Sequence, residues 1–493
     1  MRLDADLASI QEVRDLLDKA EQAQEAMLEM SQEQVDQIVH KMAHAAKQNA
    51  GKLAALAVDE TGYGKEEDKL TKNLFAAQDV YESIRDEKTV GIIHKNETDK
   101  VWEVVEPVGI VAAIIPSTNP TSTAIYKALI AVKARNAIVM SPHPQAANCT
   151  NKVVEILADA AKQAGAPEGL ITSVQTPTVA GANDLMKHEK TAVILATGGS
   201  GMVKAAYSSG TPAYGVGPGN VPVYVHKSAD VSKAASQIVH SKAFDWGTIC
   251  ASEQSVITEK SVKRRFKEAL EANGAYFVDD YEKQRLENLI YVNGRFNPEI
   301  VGQSPKKLAE MAGIAIPEDT QVIVAEETEV GTQYPFSIEK LSPMLALYTV
   351  DGEAEAFAKT KEILALGGEG HTVGIHAEDE NIVQLFGLEQ KANRVIVNAG
   401  TTFGAIGAAT NVIPSLTLGC GTAGNNITSD NITTKHLLNN KQIAFATKEV
   451  EQPKRRPVTT GAGQTIVHDY SETAVSEAEI ANIVKAVLKE LNV

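Results

Sequence analysis

Cysteine is scarce in this chain: Cys149, Cys250 and Cys420 are the only three in 493 residues, and just two tryptophans accompany them. The three cysteines are far apart and include no CxxC pair, so neither a disulfide framework nor a zinc site is indicated, and the usage fits a reducing cytosol. No apolar run approaches the roughly 20 residues that span a bilayer. The N-terminus is acidic and amphipathic, without the basic stub and apolar core of a signal peptide, so a soluble, cytoplasmic protein without membrane contact is expected. Basic residues are outnumbered, 47 Lys and Arg against 63 Asp and Glu, and the net charge of −16 argues against a nucleic-acid partner. The one dense basic run, Lys454-Arg455-Arg456, lies in a Pro-containing stretch near the end and reads as solvated linker. Also missing is GxGxxG, the usual dinucleotide fingerprint.

What is present is ordinary α/β patterning. The chain is too long for one core, so at least two domains are expected. Helical spacing appears at Ile10, Val13, Leu16 and Leu17, and again at Ile38, Met42 and Ala45. Glu103–Pro107 reads as a strand. Residues 109–115 (Gly-Ile-Val-Ala-Ala-Ile-Ile) read as a strand buried on both faces, as in a parallel sheet. A loop, Pro116-Ser117-Thr118-Asn119-Pro120, leads to a helix at 124–132; a strand at 137–140, a helix at 151–163 and a strand at 191–195 follow. This alternation predicts βαβ units and a doubly wound sheet. A second series, with helices at 262–272 and 353–364 and strands near 321–325, 372–376 and 394–397, predicts a second domain of the same class.

The tail differs. Residues 450–475 are Pro-, Thr-, Gly- and Arg-containing with little periodicity and read as a linker. Then Ser476-Glu477-Ala478-Glu479 matches a capping box, and Ile480, Ile483, Val484, Val487, Leu488 and Leu491 share one helical face. An isolated helix this short is marginal in water, so 476–493 should dock on the chain's own globule or on a partner.

Cys250 sits in Gly247-Thr248-Ile249-Cys250-Ala251-Ser252-Glu253-Gln254. A thiolate attacks a carbonyl well when its pKa is lowered or its site is electropositive. Residues 245–248 read as a tight loop and Ala251-Ser252 as the start of a helix, whose dipole would favour the thiolate. Around this run, Ile115–Ser122, Ala196-Thr197-Gly198-Gly199-Ser200 and Thr417-Leu418-Gly419-Cys420-Gly421 complete a set of four segments. In this order and spacing the set resembles the aldehyde dehydrogenase superfamily, specifically its CoA-acylating branch and the N-terminal half of bifunctional aldehyde-alcohol dehydrogenases, over roughly residues 7–447.

The resemblance implies a fold and a site. The fold is α/β, with two doubly wound domains and a β-strand oligomerisation arm. A NAD(P)-binding domain would occupy 1–92 and 107–226, a catalytic domain 227–421, and oligomerisation strands 93–106 and 433–449; a homodimer or dimer of dimers follows. Cys250 would be the nucleophile, and Asn119 with the Cys250 N–H would hold the oxyanion, a task for neutral donors in a dry site. Thr197, Gly198, Gly199 and Ser200, between a buried strand and a helix, would take the pyrophosphate, which accounts for the absent GxGxxG. Glu339 would grip the nicotinamide ribose. Ser141, Pro142 and His143 stand where many superfamily members carry a lysine at the adenosine end, so NAD is favoured over NADP without excluding the latter. His371 is placed near the acyl or CoA site, or is simply a packed or surface histidine; Cys420 and Glu253 read as structural. Trp246, beside the nucleophile, is bulkier than expected and either narrows the acyl pocket or points outward.

Hydrolytic relatives carry a water-activating glutamate in a stretch corresponding to Thr211–Asn220, which here contains no acid. Water attack on a thioester needs a base, whereas a thiol of pKa about 8.5 is already partly thiolate near neutrality. Coenzyme A is therefore the expected acyl acceptor and acetaldehyde the expected substrate, other two- or three-carbon aldehydes remaining open. The alternatives are a hydrolytic dehydrogenase, an acyl-phosphate reductase and an inactive scaffold or cargo protein. Residues 479–488 resemble the encapsulation peptides that direct such enzymes to the shell proteins of bacterial microcompartments.

Overall fold

The computed structural model describes residues 4–450 and two short strands, Val458–Thr459 and Thr465–Ile466. Those strands pair antiparallel, so the stretch read as a linker is not without regular structure. The expected amphipathic helix at 476–493 lies outside the described residues. By its contacts the chain divides into a large unit, 4–96 with 101–443, and a small one holding 97–100 and the segment from 444 onward. The candidate site lies wholly in the large unit.

The first helix, Ala5–Leu28, is capped by Asp4 and buries Val13, Leu17, Ala20 and Met27 along one stripe. Gln32–Gln48 starts at a capping box of Ser31 and Gln34. These helices help enclose a five-stranded parallel sheet of order Ile171–Ser173, Ala137–Pro142, Ile110–Ile115, Thr191–Thr197, Ala213–Val216. Ile110–Ile115 is buried at every position, as the uniformly apolar sequence requires of a central strand with helices on both faces. Successive strands run outward on one side of it and then on the other. The order therefore reverses between Ile110–Ile115 and Thr191–Thr197, which makes that gap the topological switch point.

The second half is a seven-stranded sheet of order Ala275–Phe277, Val322–Glu327, Met344–Val350, Glu253–Glu259, Val221–Val225, Gly370–His376, Ala392–Val397, parallel throughout. Two expectations need correction here. Val221–Val225 belongs to this sheet, so the boundary between the halves falls near 217–220 and not at 226/227. Residues after Cys250 open no helix: 250–252 turn directly into the strand Glu253–Glu259. The polar ends of that strand hide its character, but Val256-Ile257-Thr258 is a β-branched run buried on both faces. A third sheet joins Gly91–Asn96, Val101–Pro107 and Leu438–Ala444, overlapping the segments expected to form the oligomerisation arm. Among the described residues no helix is long and apolar enough to cross a membrane.

Candidate active site

Cys250 opens onto a cleft of about 260 Å3 built from opposite edges of the two sheets. The first sheet gives its carboxyl edge: Pro116–Asn119 follow Ile110–Ile115, His143 follows Ala137–Pro142, and Thr197–Gly199 end Thr191–Thr197. This is the edge at which open α/β sheets bind ligands, and the 116–119 and 197–199 loops flank its switch point. The second sheet gives its amino edge: Gly217 and Pro218 precede Val221, Cys250 precedes Glu253, and Glu339 and Leu341 precede Met344. A ligand held in the usual place on one half thus faces Cys250 on the other.

The structure brings Asn119, Thr197, Gly198, Gly199, His143, Cys250 and Glu339 together around this cleft. Ser141 and Pro142 are the buried last residues of their strand and leave only His143 on the wall. Ser200 begins the helix Ser200–Tyr207. The first N–H groups of that helix, which no helix pairs internally, therefore stand at the cleft behind two glycines. A methyl added at Gly199 would meet nothing, so the turn leaves open space where a pyrophosphate could approach. The donor and acceptor set fits a dinucleotide: small residues and free N–H groups at one end, a carboxylate at the other. Among the described residues no His, Cys, Asp and Glu cluster suits a metal ion.

Cys250 is not activated in the way its expected helix position implied. Burial, then the Glu339 carboxylate and the Cys420 sulfur, push its thiol up to about 12, with Arg394 drawing it back. Without a helix N-terminus behind it, the cysteine lacks the dipole that would have stabilised a thiolate. Glu339 is pushed up to about 7, mainly by burial, although its Oε1 accepts a 3.0 Å bond from the Gly219 N–H and Lys242 lies near. Among the described residues it is the one carboxylate on the cleft wall.

His371 stands behind the wall. It is fully buried, and a Cβ on Gly219 would meet its ring at 3.1 Å and collide with the Cys250 carbonyl oxygen. Its Nδ1 is 3.0 Å from Thr372 Oγ1, and Nε2 has no hydrogen-bond partner among the described residues. Burial and the Arg394 cation lower it to about 3, so the ring is neutral at physiological pH. Arg394, itself buried, donates to the His371 and Gly419 carbonyls at 2.8 Å each, and to Ser429 O and Asn431 Oδ1. Cys420 is buried in a turn, its N–H on Asn426 Oδ1 at 2.8 Å. Glu253 is buried with Ser241 Oγ and the Thr401 N–H on its two oxygens at 2.7 Å each, a structural arrangement. Trp246 does not line the cleft; the Lys65 ammonium lies 4.5 Å from its ring centroid.

Sequence reasoning missed a buried polar group behind Asn119. Lys72 Nζ contacts Asn119 Oδ1, Asp245 Oδ2 and, at 3.0 Å, Thr248 Oγ1. Lys69 Nζ reaches Asp245 Oδ2 at 3.0 Å and Thr118 O at 3.1 Å. Burial favours the neutral Asp245 carboxyl, but Lys72 and Lys69 outweigh it and hold its pKa below the ordinary value. The available signal was faint: two lysines three residues apart on the face of Glu66–Phe75 that also buries Asn73 and Phe75.

Comparison with known proteins identifies the family. A family model, the aldehyde dehydrogenase family, matches residues 3–280. The bifunctional aldehyde-alcohol dehydrogenase of Escherichia coli (strain K12) is 43% identical over 443 residues, 89% of this chain and 50% of that protein. The chain thus spans about half the length of such relatives. Among solved structures, an acetylating aldehyde dehydrogenase from Geobacillus thermoglucosidasius is 59% identical, with a TM-score of 0.91 over 92% of this chain and 100% of that one. A propionaldehyde dehydrogenase from Rhodopseudomonas palustris, solved with bound CoA and an acylated cysteine, is 28% identical, with a TM-score of 0.80 over 88% of this chain and 97% of that one. With its cysteine, asparagine and glutamate gathered at one cleft between two doubly wound halves, the chain belongs to the aldehyde dehydrogenase family, in its CoA-acylating branch.

Proposed function

We propose that this chain oxidises a short aldehyde, acetaldehyde foremost, with NAD and coenzyme A to give the acyl-CoA, reversibly. One observation carries the choice of acceptor. Val216, Gly217 and Pro218 of the acid-free segment line the cleft with Cys250, and the one carboxylate there among the described residues, Glu339, is engaged by the Gly219 N–H. No side chain of that segment can activate water, so a thioester on Cys250 waits for a thiol.

Cys250 Sγ adds to the aldehyde carbonyl, forming the C–S bond as the carbonyl oxygen becomes an oxyanion. Asn119 Nδ2, at the N-cap of Pro120–Lys133, donates to that oxygen. NAD(P), held by the 197–200 turn and Glu339, would supply the hydride acceptor. As the oxyanion collapses, the former aldehyde C–H bond breaks, its hydride passing to that acceptor, and the acyl group remains as a thioester on Cys250. The CoA thiolate then attacks it, and the Cys250 thiolate departs. His371, neutral and packed behind Gly219 and Cys250, keeps that segment in place.

The test is product analysis of the purified chain with acetaldehyde and NAD. With CoA, acetyl-CoA and NADH should appear in equal amounts; without CoA, NADH formation should stop after about one equivalent per site. Sustained CoA-independent formation of acetate would sink the acylating assignment. The same assay run with propionaldehyde and with NADP fixes the substrate and cofactor preference, for which acetaldehyde and NAD are expected to have the higher kcat/KM.

Glu339 as the acceptor of the ribose hydroxyls gives a pH signature. Its carboxyl, raised to about 7, binds those hydroxyls as the carboxylate and loses that capacity as pH falls through this value. KM for NAD is expected to rise about tenfold from about pH 8 to about pH 6, while E339Q shows a high KM that hardly varies. A flat wild-type profile would remove Glu339 from the cofactor site.

The three-stranded sheet ending in the exposed strand Leu438–Ala444 supports a homodimer or dimer of dimers built through that edge. A monomeric mass by light scattering would exclude it. The 476–493 segment is proposed as a shell-directed helix of a microcompartment enzyme. Its fusion to a fluorescent protein should carry that protein into shells; diffuse fluorescence would refute the targeting.

A further inference from the structure

We infer that Lys72, paired with Asp245 beneath the cleft, is a positioning residue that sets the Asn119 amide and the nucleophile loop in register for oxyanion binding. The inference rests on the proposed role of Asn119 as the oxyanion donor.

The bonding leaves little freedom. Lys72 is 3% exposed, and its ammonium has three donors for the three acceptors it meets: Asn119 Oδ1, Asp245 Oδ2 and Thr248 Oγ1. Burial brings the ammonium down to about 8 against the pull of Asp245, so it is charged at neutral pH. Asp245, fully buried, also accepts the Lys65 N–H at 2.8 Å, Lys69 Nζ at 3.0 Å and Thr248 Oγ1 at 2.6 Å. An ion pair buried so completely is seldom more stabilising than an apolar pair of the same volume, so stability alone is a weak reason for it.

Geometry supplies a better one. An asparagine amide can be turned over with little change of shape, but Lys72 offers donors only. It therefore fixes Oδ1 toward itself and Nδ2 away. One Nδ2 hydrogen bonds to Thr248 O at 3.1 Å, on the backbone two residues before the nucleophile; the other reaches Thr118 Oγ1 at 3.1 Å. Thr118 lines the cleft and Thr248 O belongs to the backbone beneath it, so the hydrogen directed to Thr118 is the one available to an oxyanion. A cation on the amide oxygen also strengthens the opposite N–H as a donor, an effect felt fully in a dry site. The same ammonium reaches Thr248 and Asp245, and Asp245 and Trp246 adopt left-handed backbone at φ 48° and 49°. Such conformations cost energy in non-glycine residues and persist where surrounding bonds over-determine them. Lys72 is the atom-level link between the amide on one half and the strained loop on the other.

The test compares wild type, N119A, the charge-neutral pair K72M/D245N and the triple variant. K72M alone leaves the buried Asp245 carboxylate with Lys69 as its remaining ammonium partner; the paired variant removes one charge of each sign, and Lys69 keeps its bond to Thr118 O. Two rates are read: kcat with acetaldehyde, NAD and CoA, and alkylation of Cys250 by iodoacetamide, which needs a reachable thiol but forms no oxyanion. K72M/D245N is expected to lose about tenfold to a hundredfold in kcat, with alkylation and KM for NAD within about twofold of wild type. Added to N119A, it should cost less than about twofold more, because both act on one interaction. Full additivity on N119A, or alkylation falling in step with kcat, would overturn the positioning role and reduce the pair to a loop prop. An unimpaired N119A would instead refute Asn119 as oxyanion donor, and this inference with it.

Discussion

Cys250→Ser is expected to abolish aldehyde-dependent NADH formation, a loss of about 10^3-fold or more in kcat, with cofactor binding and thermal stability nearly unchanged. The side chain is only partly buried and exchanges one heavy atom, so the fold has little to lose. The chemistry has much to lose: a serine hydroxyl is far less acidic than a thiol, so far less of it is the attacking anion. The wild-type thiol is itself suppressed, pushed up to about 12 by burial and by Glu339. In the absence of cofactor, alkylation of Cys250 should therefore climb about tenfold per pH unit between about pH 7 and 10, where an ordinary thiol of pKa about 8.5 would level off. E339Q, lacking the opposing charge, should react faster at each pH. Retention of activity in Cys250→Ser would remove Cys250 from the role of nucleophile.

The half built on the five-stranded sheet was largely legible because its signals are local. Ile110–Ile115 is apolar at every position, and the glycine turn after Thr191–Thr197 falls where a strand gives way to a helix. The setting of the nucleophile was not. Glu253–Glu259 is a central strand whose polar residues are satisfied from a distance, Glu253 by Ser241 and Thr401, Gln254 by Lys242 and Lys340. Local propensity carries no trace of such partners, so the small residues after Cys250 read as a helix start. Tertiary pairing overrode that cue. The Lys72–Asp245 pair joins residues 173 apart in the chain, and no spacing rule reaches so far. The family resemblance located Cys250, Asn119 and Glu339 individually; the fold shows why they meet, carboxyl edge against amino edge.

That meeting point is tightest at Gly219, and a single methyl there should have the second largest effect. The Gly219 N–H holds Glu339 Oε1 at 3.0 Å, while an added Cβ would collide with the Cys250 carbonyl oxygen and press on the His371 ring at 3.1 Å. None of these neighbours can yield cheaply. The carbonyl belongs to the turn entering Glu253–Glu259, and the His371 ring is fully enclosed, its own carbonyl tied to buried Arg394. Gly219→Ala must therefore move the nucleophile, the segment carrying Glu339, or both. A displacement of about 1 Å in a reacting group costs on the order of 100-fold in rate, so kcat should fall at least about that far while KM for NAD rises through the disturbed Glu339. Gly217 is the matched control: it lines the same cleft, and a Cβ there would meet nothing. Gly217→Ala should keep kcat within about threefold of wild type, since nothing is forced to shift. Equal loss in both variants would mean that backbone freedom of the whole 217–219 turn, and not the contact between Gly219 and Cys250, governs the site.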